Sequence, residues 1–241
     1  MKALFLSLII FNCSKYFFIT EADSCKDQLI SIIKEYNSKV KNVKVNEVVY
    51  VHYKVNTTLR NKVNKAGVQE VKAYISKNKS KVVNEYTEVY SNSEYTISVL
   101  PKDKVLLITN LPKNHDEEWR NNSALSMLDS IFNYYTIGDC SKTKNGLTQI
   151  SLIPNTKAKS KYNVRSVDIS LDENLKNLRS VKMNMDNKGV IESMQIEYIA
   201  YEINEIKSVS FPAMPDNFIK NGKPTEKYKS YKIIDKTKKR S

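Results

Sequence analysis

Residues 178–199 read LRSVKMNMDNKGVIESMQIEYI. Val181, Met183 and Met185 fall at every second position, Asp186-Asn187-Lys188-Gly189 interrupts, and Ile191 opens a return that carries Met194 and Ile196. A period of two puts alternate side chains on one face of a strand. The polar interruption predicts a hairpin turn, with Gly189 supplying a positive φ.

The same alternation extends upstream. Between Val45 and Val55, the residues Val49, Val51, Tyr53 and Val55 alternate with Tyr50, His52 and Lys54, the pattern of a half-buried strand. Gln69–Ser76 carries Val71, Ala73 and Ile75 on one face, and Lys77–Ser80 makes a turn. Val82–Tyr90 is expected to return as one strand. Tyr95–Leu100, the turn Pro101–Lys104 and Val105–Thr109 form a further hairpin. Strands joined by short polar turns imply an antiparallel meander. Leu147–Ile153 and Val167–Leu171 continue it, and one strand, Tyr228–Ile234, is expected near the end.

Two segments have helical spacing instead. Leu29, Ile33, Tyr36 and Val40 predict a helix over Lys26–Val40, with Ser24 as its cap. Ala124, Leu125, Leu128, Ile131, Phe132 and Tyr135 form a wide apolar stripe and predict a second helix over Asn122–Tyr135, ended by Gly138-Asp139. The expected fold class is α+β, mainly β: one long curved antiparallel sheet, a half-open barrel, with helices covering its concave face.

The 241-residue chain is long enough to bury a real core. Only 5 Gly and 6 Pro exclude collagen-like and low-complexity classes, and 15 Tyr favour strands. A net charge of +13 favours anionic surfaces, yet the lysines are spread out, and only Lys236–Arg240 is a basic run. That tail is read as a solvated end, with contact to an anionic membrane surface as the sharper alternative.

Residues 1–11, MKALFLSLIIF, place one lysine before a short apolar run, as a secretory signal does. Residues 1–22 are therefore expected to be removed. Cys13 is a poorer candidate for lipid attachment, because Ile10-Phe11-Asn12 is not a small-residue approach. Cleavage leaves Cys25 and Cys140, which can pair in an oxidising compartment or remain two unrelated thiols.

Four of these segments together carry a resemblance: the exported N-terminal helix with its Val/Tyr-rich strand, the stretch EVYSNSEYTISVLPKDKVLLI at 88–108, the amphipathic helix after it, and the hairpin at 178–199. In this order they resemble the periplasmic lipoprotein-carrier superfamily typified by the outer-membrane lipoprotein carrier LolA. The resemblance covers roughly residues 26–210 and implies a carrier domain at 23–210 with a C-terminal extension at 211–241. It also implies an arginine that closes a lid; Arg60, Arg120, Arg165 and Arg179 are the candidates, and none stands out.

Catalytic patterns are missing. His52 sits on a strand's polar face and His115 in a polar loop, leaving no relay for Ser or Cys. Asp116-Glu117-Glu118 is read as a helix start. There is no glycine-rich phosphate loop and no Cys/His cluster, so neither metal nor cofactor is expected. The run TEKYKSYK at 225–232 interleaves aromatics with lysines, but nucleic acid is not an expected partner of an exported chain. The expectation is a non-enzymatic binder of lipid or lipoprotein acyl chains, or else a structural module with a closed core. The binding face would comprise Val49, Val51, Tyr53, Val71, Ala73, Ile75, Leu125, Leu128, Ile131, Phe132, Tyr135, Val181, Met183 and Met185.

Overall fold

The computed structural model describes residues 21–60, 67–110, 131–143, 145–172, 177–205 and 209–237. The expected signal residues 1–20 with Cys13, His115, Asp116–Glu118, Arg120, and the residues 122–130 of the expected second helix, Leu125 and Leu128 among them, lie outside the described residues.

Helix α1 (Glu21–Lys41) leads into β1 (Glu47–Leu59), β2 (Gly67–Ile75), β3 (Ser80–Val83), β4 (Glu88–Ser91), β5 (Tyr95–Leu100) and β6 (Val105–Asn110). A second run follows: β7 (Tyr135–Lys142), β8 (Leu147–Pro154), the short helix α2 (Thr156–Tyr162), β9 (Val164–Asp172), β10 (Asn177–Met185) and β11 (Ile191–Glu205). The chain closes with the small hairpin β12 (Ile219–Lys220) and β13 (Lys223–Pro224), then β14 (Lys232–Asp235). All but β12 and β13 form one open, curved twelve-stranded sheet in the order β14-β6-β5-β4-β3-β2-β1-β11-β10-β9-β8-β7. Two antiparallel meanders meet where β1 pairs with β11. The pairing of β14 with β6 is parallel. The mainly β, curved antiparallel sheet expected from the alternation is the architecture observed.

Several boundaries move for local reasons. Ser24 lies inside α1 and does not cap it. The stretch 82–90 is two strands, because the Asn84 side chain accepts from the backbone N–H of both Tyr86 and Thr87 and folds the chain into a turn. At 186–189 glycine is not the device, since Gly189 is not among the residues with positive φ. Asp186 instead accepts from Lys188 N–H, and Arg60 donates to Asp186 O and to the side chain of Asn187. α2 escaped the apolar pattern because only Ala158 of its seven residues is buried; Asn155 caps it by accepting from Ala158 N–H.

The predicted helix over 122–135 meets a larger correction. Ile131–Asn133 is a single 3-10 turn, and Tyr135–Lys142 is the edge strand β7. Gly138 does not end a helix. It sits in a bulge of β7, where a Cβ would lie 2.6 Å from the Ile153 side chain.

Directly opposed residues share a face, so the register sorts the sheet. Val181 opposes Ile196, which opposes Val55; Tyr198 opposes Tyr53, which opposes Val71; Tyr201 opposes Val51, which opposes Ala73. On this face α1 lays down Cys25, Leu29, Ile32, Ile33 and Tyr36 against Ile150, Leu152, Ile169, Leu171 and Leu178. Each such side chain contributes about 1.5–3 kcal/mol on burial. The second core lies on the opposite face and at the other end. Tyr90, Ile97, Val99, Leu106 and Ile108 pack there against Phe218 and Tyr228 of the C-terminal segment. The sheet therefore buries one face under α1 and the other under residues 214–233.

Candidate functional site

The face beside α1 gathers most of the side chains expected to bind. Val49, Val51 and Tyr53 stand opposite Ile75, Ala73 and Val71, and Val181 and Met183 join the same face through β11. Met185 follows a bulge and packs with Val181, Met183, Phe132 and Tyr135 against the α1 core. Leu125 and Leu128 are outside the described residues, as is the side chain of Ile131.

These residues divide into two groups. Val181, Met183 and Met185 pack against the helix core, where the space left between α1 and the sheet is only about 10 Å³. That is about the room a single water needs, so among the described residues this cavity between α1 and the sheet does not take an acyl chain. Among the described residues Val51, Tyr53 and Ile75 are half-buried and belong to neither core, although Val49, Val71 and Ala73 beside them are buried.

Between the two groups runs a tyrosine cluster that the alternation alone did not single out. The rings of Tyr36 and Tyr201 meet edge-on with centroids 4.2 Å apart, and those of Tyr53 and Tyr198 lie 6.1 Å apart. The Tyr36 hydroxyl donates to Asn177 Oδ1 and accepts from Leu178 N–H, while the Tyr201 hydroxyl donates to Tyr36 O. Burial pushes the Tyr198 phenol up to about 12 and raises Tyr53 and Tyr201 as well. These hydroxyls stay neutral, and their rings present apolar area with polar tips.

Cys25 and Cys140 are joined in a disulfide with Cα atoms 6.5 Å apart. The bond ties α1 to the edge strand β7. The arginines considered for a lid have local duties: Arg60 clamps the β10–β11 turn, and Arg179 pairs with Asp172 at 2.9 Å. His52 Nε2 lies 2.7 Å from Glu70 Oε1 on the opposite face, and this bond holds the Glu70 carboxyl below its usual range. Among the described residues no group of three or more His, Cys, Asp and Glu side chains gathers to hold a metal, and no helix is long and apolar enough to cross a membrane.

No protein-family profile matches the sequence, and no curated protein matches it. Solved structures of similar outline exist. An uncharacterized conserved protein from Thermus thermophilus aligns over 88% of this chain and 99% of its own, at 6% identity and a TM-score of 0.45. A DUF1329 family protein from Desulfovibrio piger aligns over 83% and 97%, at 10% identity and a TM-score of 0.38. A putative outer membrane lipoprotein-sorting protein domain from Vibrio parahaemolyticus aligns over 80% and 97%, at 10% identity and a TM-score of 0.34.

Proposed function

We propose that this chain is an exported binding module that holds an apolar ligand, the acyl chain of a lipid or lipoprotein, on the sheet face beside α1. The carrying observation is the register that sets half-buried Val51, Tyr53 and Ile75 on one face, outside both cores. Each buried methylene contributes about 0.8 kcal/mol, so such a surface holds an acyl chain without a dedicated polar contact. The small cavity under α1 favours a ligand beside the helix over one beneath it, and the disulfide fits an oxidising compartment.

A second reading is a protein-interaction module of the envelope with a closed core. The 10 Å³ left under α1 favours it. Lipid extraction and native mass spectrometry of protein purified from its own envelope separate the two. The proposal expects bound lipid in the wild type, and much less in Val51→Asp with unfolding little changed, because Val51 is only half-buried. Absence of lipid from the wild type, together with no binding of a fluorescent fatty acid, sinks the carrier reading and leaves the interaction module.

A further inference from the structure

A second cavity lies on the face opposite α1. It is a cleft of about 520 Å³ between β3–β4 and the C-terminal segment, within the roughly 300–1,000 Å³ of small-molecule sites. Its floor is aromatic: Tyr90 packs on Phe218 at 5.1 Å, and Phe218 stacks on Tyr228 at 5.4 Å. Two lysines reach it from different elements. Lys81 of β3 is half-buried, its Nζ 5.7 Å from the Tyr90 ring centre and 5.9 Å from that of Tyr74. Lys227 follows the hairpin β12–β13, with its Nζ 4.9 Å from the Tyr228 ring centre.

Neither ammonium has a carboxylate oxygen within 4.0 Å among the described residues. The acids nearby are largely engaged. Glu226 pairs with Lys229, and Glu88 accepts from the Tyr90 hydroxyl. Asp216 remains on the wall with Asn217, whose side-chain amide suits a polyhydroxy body, and Thr225, whose hydroxyl donates to Asn217 O and keeps its lone pairs to accept from one. Lys81, half-buried with its ammonium against two ring faces, gains from an anion that enters beside it, and the exposed Lys227, which bonds Tyr228, adds a second positive charge; lysine takes phosphate as a point charge.

We propose that this cleft binds a phosphorylated polyol, with Lys81 and Lys227 on its phosphate and Asn217 and Thr225 toward its hydroxyls. The phosphate can belong to a free sugar phosphate or to a phospholipid headgroup. Because the cleft opens on the face opposite the acyl site, its occupancy does not depend on the acyl reading.

The test is titration of the full disulfide-bonded protein, followed by NMR, with glucose 6-phosphate and with glucose, and flotation with phosphatidylglycerol and with phosphatidylcholine vesicles. The expected result is that glucose 6-phosphate shifts resonances at Lys81 and 225–228, with glucose at least about tenfold weaker. Lys81→Met and Lys227→Met, which keep the apolar stem on the rings, should each weaken binding by about tenfold, while Lys102→Met, outside the cleft, should not. Selective flotation with phosphatidylglycerol, lost in the same two variants and kept in Lys102→Met, assigns the headgroup as the source. Equal binding of glucose and its phosphate, or indifference to both substitutions in variants with unchanged melting, overturns the site. So does vesicle binding that all three substitutions weaken alike, which is surface charge alone.

Discussion

Cys25 on α1 and Cys140 on β7, 115 residues apart in sequence, are covalently joined, so the first helix is pinned to the far edge of the sheet. The bond closes a loop longer than the 100 residues for which the chain-entropy relation gives about 4.7 kcal/mol. Cys25→Ser with Cys140→Ser should therefore lower the free energy of unfolding by about 4–5 kcal/mol. Urea titration checks it, and an unchanged midpoint would show that the bond constrains nothing.

Phe218 should matter as much as any residue of the meanders. It is 1% exposed and touches both Tyr90 and Tyr228. Phe218→Ala should cost about 3–5 kcal/mol, the range for truncating a fully buried aromatic. A loss below 1 kcal/mol in denaturant unfolding would show that the C-terminal segment lies loosely on the sheet.

Stability should fall in alkali through the tyrosine cluster. The Tyr198 phenol is raised from 10.0 to about 12, mainly by burial and then by Tyr53 and Tyr36. Below pH 10 both folded and unfolded chains keep the proton, so the contribution is complete there. Between pH 10 and 12 the unfolded chain ionises first and stability declines, by about 2–3 kcal/mol for this group at 1.36 kcal/mol per unit. Unfolding midpoints measured from pH 8 upward should bend accordingly, and Tyr198→Phe should flatten the bend.

Gly138 should tolerate no side chain without repacking. A Cβ there would lie 2.6 Å from Ile153 Cδ1, which is half-exposed and can yield in part. Gly138→Ala should cost about 1–3 kcal/mol as an overpacked site, and Gly138→Ala with Ile153→Ala should recover most of it. Failure of the second change to rescue the melting temperature would locate the strain in the backbone.

Much of the fold was legible because β periodicity is local. The alternation through Val49, Val51 and Tyr53, and through Val181, Met183 and Met185, needed no knowledge of neighbours, and these residues do share a face. Tyr135–Lys142 misled because Phe132 and Tyr135 prolong the helical spacing of the preceding residues; pairing with β8 makes the segment a strand instead. Phe218 stands isolated in a polar, Pro-containing segment with no period to reveal its burial, and Tyr228, expected to open the last strand, instead ends a 3-10 turn and is buried, the strand beginning at Lys232.

The sequence by itself determined most of the strands, where most of them turn, and which side chains within one strand lie together, since each follows from spacing along a few residues. Only the tertiary structure decided which of the two faces each part of the sheet would bury. Alternation makes two faces and does not say what covers them. Here α1 covers one face from β7 to β10 and the C-terminal segment covers the other from β4 to β6, because contacts between residues far apart in sequence outweigh the local pattern. That choice leaves only a cavity of about 10 Å³ between α1 and the sheet, sets half-buried Val51, Tyr53 and Ile75 outside both cores among the described residues, and opens the lysine-lined cleft on the opposite side.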